Sequence, residues 1–192
     1  MQIIDNQTPL AEGLVYEDCL PFGWKLLEDL PGKSTLDHLN ESNESLLKVF
    51  ATLEDQTPAR QESDERLAEI HCEMMRLDLK LNLILELVKH VLSQQLALPD
   101  RFDVRVGARG IEWWSDGPPP LGSTIKLELF LLPRYPLPIE LPGRVVGIQR
   151  DEKPAKATVA FQGLSEPVHD WIEKIIFRHH RRSIANKRLS GE

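Results

Sequence analysis

The chain has 192 residues, a length that suits one compact domain with an appended element or two small domains. Hydrophobic residues make up 41% and charged residues 28%, which excludes a disordered chain, and no run approaches the roughly 18 apolar residues of a membrane-spanning helix. The net charge of −7 is acidic in the first third and basic around Lys174, Arg178, Arg181, Arg182, Lys187 and Arg188; an acidic body disfavours general nucleic-acid binding.

Met1-Gln2-Ile3-Ile4-Asp5 lacks the basic and apolar regions of a secretory signal, so the expected compartment is the cytoplasm. Cys19 and Cys72 are far apart and are expected there as free buried thiols. The first element is a short strand, Leu14 to Leu20, closed by the turn Pro21-Phe22-Gly23. After Pro31-Gly32-Lys33 a helix begins, with Ser34 or Thr35 as N-cap and Asp37 in the first turn. Leu36, Leu39, Asn43, Leu46, Phe50 and Leu53 form its stripe, and it stops near Pro58.

From Arg60 to Leu98 there is neither Pro nor Gly. Leu67, Met74, Leu81 and Val88 fall on heptad a positions and Ile70, Leu77, Ile84 and Val91 on d positions, through four heptads. Such a helix is about 57 Å long at ~1.5 Å per residue, far more than the roughly 13 Å radius of gyration of a 100-residue domain, so part of it must project. A projecting apolar stripe needs cover. The preceding helix can supply some as an antiparallel hairpin partner, but its stripe is shorter and contains Asn43. Leu85, Leu87 and Leu92 widen the face, and the balance of Leu or Met at a with Ile at d favours a homo-oligomer larger than a dimer, with a tetramer expected.

From Pro99 the period changes to two. Strands are predicted over Phe102 to Trp114, Ser123 to Leu132, Ile139 to Gln149 and Lys156 to Phe161, and their Pro-rich separators indicate a small barrel or sandwich. Ser165-Glu166-Pro167 opens a closing helix with Trp171, Ile172, Ile175 and Ile176 on the face that plugs the barrel; the basic remainder is expected to extend into solvent.

Signatures of catalysis are missing: there is no Gly-x-Ser-x-Gly elbow, P-loop or dinucleotide fingerprint. His71 and Cys72 are adjacent on a helix and diverge, and His179-His180 sits among arginines that oppose a cation, so no metal or cofactor is expected. Trp113 and Trp114 face opposite sides of a strand, so at least one is core. A basic tail, Arg178 to Arg182, could meet phosphates or an acidic protein surface, with nucleic acid the minor reading.

Two stretches carry a family resemblance. Arg105-Val106-Gly107-Ala108-Arg109-Gly110 lies where the PilZ domain has Asp/Asn-x-Ser-x-x-Gly, and Val159-Ala160-Phe161-Gln162-Gly163-Leu164-Ser165 resembles that family's turn from its last strand into a final helix. With the inserted heptad helix, most of the chain is similar to the atypical, tetrameric PilZ proteins of xanthomonads. The resemblance implies an α+β fold: a six-stranded PilZ-like β-barrel with a long inserted heptad-repeat helical hairpin and a C-terminal helix. Residues 1–30 would give the barrel its N-terminal strand, 31–98 the oligomerisation insert, and 99–192 the rest of the barrel, the closing helix and the tail.

PilZ domains typically bind cyclic di-GMP, but the ligand positions Arg105, Gly107 and Gly110 match only at Gly110: Arg105 replaces the acidic or amide residue and Gly107 the Ser. The family's upstream Arg-x-x-x-Arg is met by Arg101 and Arg105 only if Arg105 serves both motifs. Losing two charge-assisted clamps removes several kcal/mol, at ~1.5–3 kcal/mol each. The implied function is a non-catalytic bacterial signalling adaptor, acting in motility or virulence through an unidentified protein partner, with weak or absent cyclic di-GMP binding. The alternative is a cyclic di-GMP receptor with a rearranged site drawing on Arg101, Arg105 or Arg109.

Overall fold

The computed structural model describes residues 9–10, 13–54, 70, 73–81, 83–84, 87–88, 98–131, 137–150 and 154–189, with the side chains of 53–54 and 182–189 excepted. Six strands form a closed barrel: β1 (Tyr16–Leu27), β2 (Arg101–Val106), β3 (Gly110–Ser115), β4 (Thr124–Leu129), β5 (Ile139–Gln149) and β6 (Ala155–Phe161). The order around it is β1-β2-β3-β6-β5-β4, and every neighbouring pair is antiparallel. Among the described residues there are three helices: α1 (Lys33–Glu54), α2 (73–81, with 70, 83–84 and 87–88 also helical) and α3 (Glu166–Leu189).

Alternation builds the interior. Ile125, Leu127 and Leu129 of β4 point inward and are buried, while Lys126 and Glu128 between them face out. They meet Leu20, Phe22, Val104, Val106, Ile111, Trp113, Ile139, Leu141, Val145 and Val159 in one cluster, each side chain worth ~1.5–3 kcal/mol of burial. One end of the barrel is closed by Ile172, Ile175 and Ile176 of α3, which join Val106, Leu129, Leu131, Ile139 and Leu141 in the core cluster, with Tyr16 packed against it.

Several local expectations are revised. The strand expected to stop at Leu20 runs on to Leu27, because Pro21 is a corner: Tyr16 to Pro21 pair with β2, and Phe22 to Leu27 pair with β4. Proline suits that corner since it has no N–H to place in either ladder, and Pro21 O still accepts from Phe130 N at 3.2 Å. Phe102 to Trp114 is two strands joined by a turn at Gly107 to Gly110. Helix α1 starts at Lys33, with Leu36 N donating to Gly32 O at 3.0 Å, so Gly32 holds the cap position, two residues before Ser34 and three before Thr35. Cys19 is exposed on the outer face of β1, whereas Cys72 lies outside the described residues.

Helix α1 lays its stripe on the barrel and α3, and residues 55–69, where the expected hairpin turn falls, lie outside the described residues. Asn43, Leu47, Phe50 and Ala51 are buried, with Leu46 only partly so. Arg178 itself does not open a solvated tail: α3 continues to Leu189, and Arg178 Nη1 donates to Ala51 O at 2.7 Å. That carbonyl belongs to the last turn of α1, where intrahelical partners run out and a positive charge complements the helix dipole.

Candidate functional site

The turn between β2 and β3 carries Gly107 and Gly110, and contacts from inside the chain fasten it. Gly107 N donates to Gly110 O and Phe161 N to Arg109 O, both at 2.9 Å. His169 on α3 donates its Nδ1 hydrogen to Ala108 O at 2.8 Å. Pro9 and Leu10 lie over the same turn: a Cβ on Gly107 would come within 3.1 Å of Leu10, and one on Gly110 would run into the Val159 carbonyl and approach Pro9 at 2.8 Å. Gly110 is therefore the residue that lets β6 and the N-terminal segment close onto this turn.

Arg105 sits at the centre of a row crossing four strands. The register sets Glu17 opposite Arg105, Arg105 opposite Glu112, and Glu112 opposite Thr158. Arg105 Nε donates to Glu17 Oε1 at 2.8 Å and Nη1 to Glu112 Oε2 at 3.0 Å. Glu112 is only 2% exposed, and its other oxygen accepts from the Thr158 hydroxyl at 3.2 Å and lies 3.5 Å from Lys156 Nζ. Two carboxylates thus already occupy the guanidinium.

The same outer face forms an open groove lined by Glu17, Asp18, Cys19, Asp103, Val104, Arg105 and Trp114. Its carboxylates outnumber its single guanidinium, so its field opposes an anionic ligand. Trp113 is buried in the core and Trp114 is partly exposed on the groove, as strand alternation requires. Arg101 and Arg109 are exposed but do not line the groove, and Asp103 stands between Arg101 and Arg105 on one face of β2.

A second charged row crosses β1, β4 and β5. Lys25 Nζ lies 2.9 Å from Glu128 Oε1, and Lys126 Nζ lies 3.4 Å from Glu128 Oε1 and 2.9 Å from Glu140 Oε1. The hydrogen bond from Lys25 holds the Glu128 carboxyl below its ordinary range against the opposing effect of burial. Burial works against the Lys126 charge, yet Glu140 and Glu128 outweigh it and raise its pKa.

The described part of α2 has a different character: every described side chain on it is exposed. The heptad residues Ile70, Met74, Leu77, Leu81, Ile84 and Val88 are uncovered, while Leu67 and Val91 lie outside the described residues. Sequence reasoning passed over Met75, Leu79 and Leu83, which are equally exposed; their i, i+4 spacing was the signal. His71 lies outside the described residues, and His179 stacks on Tyr16 with ring centroids 4.3 Å apart. Among the described residues no group of three His, Cys, Asp or Glu could hold a metal, and no helix is long and apolar enough to cross a membrane.

The family model described as "Atypical PilZ domain, cyclic di-GMP receptor" matches residues 47–189. No curated protein matches the chain. Among solved structures, a pathogenic protein of Xanthomonas campestris is similar with 28% identity and a TM-score of 0.73, over 92% of this chain and 93% of that one. It is described as a new tetrameric PilZ domain self-assembled via an unusual helical bundle. The PilZ domain with c-di-GMP of YcgR from Escherichia coli matches at 16% identity and a TM-score of 0.37, over 48% of this chain and 79% of that one, too remote to carry an argument.

Proposed function

The chain belongs to the atypical PilZ domain family, and from that premise we propose that it is a non-catalytic cytoplasmic signalling adaptor. Its copies assemble as a tetramer through the heptad face of α2 and display their barrels to a protein partner. The observation that carries this reading is the exposure of Ile70, Met74, Leu77, Leu81, Ile84 and Val88 along one helix. A water-exposed row of that length is costly, at ~1.5–3 kcal/mol per large apolar side chain, and sister helices remove the cost. The Xanthomonas campestris relative, tetrameric through a helical bundle, supports the same assembly. A division into an N-terminal barrel strand (1–30), an assembly insert (31–98) and the remaining barrel with its helix (99–192) fits this role.

In this reading the barrel does not hold cyclic di-GMP in the usual family mode. Arg105 is occupied by Glu17 and Glu112, the turn bearing Gly107 and Gly110 is tied down by His169 and Phe161, and the adjoining groove is acidic. A ligand with two phosphodiesters would meet carboxylates there.

Native mass measurement and calorimetric titration test the two halves together. The expected result is a tetramer that Leu81→Lys or Ile84→Lys dissociates, with cyclic di-GMP binding absent or millimolar. A concentration-independent monomer would overturn the adaptor reading. Micromolar binding lost on Arg105→Ala would replace it with a receptor whose site is rearranged.

A further inference from the structure

We propose that the outward face of α3 docks an acidic, amphipathic helix of a partner protein along a row in which cations and apolar residues alternate: Lys174, Phe177, Arg181, Ile184 and Arg188. This rests on the adaptor reading above and names the chemistry of the partner it displays its barrels to. The row advances by three and four residues in turn, so at ~100° per residue it stays within about 80° of helix surface. Val168, Ile172, Ile175 and Ile176, which enter the core cluster, lie between about 100° and about 200° round from Lys174. One side of α3 thus belongs to its own barrel, and the row lies on the other.

The described part of the row is open and cationic. Phe177 is 48% exposed, and Lys174 and Arg181 are exposed on either side of it. Lys174 Nζ stands 4.4 Å from the centre of the Trp171 ring, and the Arg181 guanidinium carbon 5.8 Å from that of Phe177. An aromatic ring holds a cation in place without neutralising it. Among the described residues neither cation pairs with a carboxylate. From Lys174 to Gly191 the sequence has six Lys or Arg and no Asp or Glu, in a chain whose net charge is −7. This end of α3 therefore carries a positive field on an acidic protein, the complement of an acidic surface.

The alternation selects the occupant. A helix lying in a bilayer surface separates a continuous apolar face from a charged one. Here Lys174, Arg181 and Arg188 share the row with Phe177 and Ile184, so sinking it into lipid would bury the cations. Single-stranded nucleic acid stacks its bases on open ring faces, whereas Trp171 and Phe177 each already carry a cation. An opposing helix with Glu at one heptad position and Leu at the other meets both needs at once, setting a carboxylate by each cation and an apolar side chain by Phe177 and Ile184. Asp170, exposed one turn before Lys174 on the same side, repels an acidic partner and marks where the docked helix must end.

The test titrates the full chain with a synthetic helical peptide of about 21 residues, three heptads with Glu at a and Leu at d, beside a scrambled peptide of the same composition. Calorimetry at low ionic strength is expected to give roughly micromolar affinity for the patterned peptide, weakened about tenfold or more by Lys174→Glu with Arg181→Glu and by Phe177→Ala. Circular dichroism checks that the variants fold, and Lys174→Gln with Arg181→Gln is the milder alternative. No binding, equal binding of the scrambled peptide, or an affinity that survives these variants overturns the docking face while leaving a tetrameric wild type, and the adaptor reading, in place. Tighter association with phosphatidylglycerol vesicles or single-stranded DNA than with the peptide overturns it in favour of a membrane or nucleic-acid surface. A monomeric wild type that still binds the patterned peptide through this row supports the face and removes the adaptor reading.

Discussion

Three side chains converge on the buried Glu112 carboxyl inside its strand: Arg105 and the Thr158 hydroxyl by hydrogen bonds, and Lys156 at 3.5 Å. Removing a partner from a buried carboxylate costs more than the pair is worth, since the remaining charge stays in the low-dielectric site. Arg105→Ala is expected to destabilise the barrel by about 1–3 kcal/mol, below the figure for a fully enclosed pair, because Lys156 remains and Arg105 is itself partly exposed. Urea unfolding measures this, and adding Glu112→Gln should recover part of the loss; an Arg105→Ala protein as stable as the wild type would show that the row is ornamental to folding. Sequence reading placed Arg105 at a motif position but not in this network. Alternation assigns Glu112 to the outer face of β3, where a carboxylate is normally wet; only the register that brings Glu17, Arg105, Glu112 and Thr158 into line explains its burial. Gly163 is legible for the opposite reason, as its need is local. Its φ of +71° suits glycine, and an added Cβ would press on Leu36 of α1 at 2.9 Å.

Two asparagines fasten α1 to the barrel through backbone groups that the sheet leaves over. Asn43 Nδ2 donates to Glu140 O at 2.7 Å and its Oδ1 accepts from Glu140 N at 3.1 Å. One turn earlier, Asn40 Nδ2 donates to Gly163 O at 2.9 Å and its Oδ1 accepts from Ser165 N at 3.1 Å. β5 begins at Ile139 but pairs with β6 only from Gly143, so Asn43 stands in for the missing strand. Asn43→Asp is expected to lose the donor and set a buried carboxylate against a carbonyl, costing on the order of 1–3 kcal/mol at neutral pH. The new carboxyl should titrate above its unfolded value of about 3.9, since burial and the carbonyl both favour its protonated, donating form. Its favourable contribution is then fully present below that pH and is lost as pH rises through the folded value, so thermal melts should show the deficit shrinking on acidification. A deficit that is constant with pH would contradict this. Asn43 looked like a blemish in an apolar stripe, and Leu47, fully buried, was missed beside it, because helical periodicity records hydrophobicity and not the unpaired edge that α1 meets. β5 was read to the residue, bounded by prolines and charged turns, whereas β2 and β3 merged: Gly107-Ala108-Arg109-Gly110 has no Pro, Asn or Asp to mark a reversal.

The molecule divides its apolar surface between two solvents of different kinds. The barrel with α1 and α3 satisfies its core within one chain, and no described residue of α2 enters that cluster, so the barrel is expected to fold independently of α2. The exposed heptad row of α2, in contrast, is satisfied by other copies in the proposed assembly, which makes its order a function of concentration. Heating the wild type at protein concentrations spanning two decades should therefore give a helix-dominated transition whose midpoint rises with concentration, while the near-ultraviolet signal of Trp113, sealed in the barrel, changes at a midpoint that is independent of concentration. Leu81→Lys should abolish the concentration dependence and leave the Trp113 transition in place. If both signals instead move together with concentration, barrel and rod form one cooperative unit, and assembly through α2 acts on the barrels themselves as well as setting their spacing.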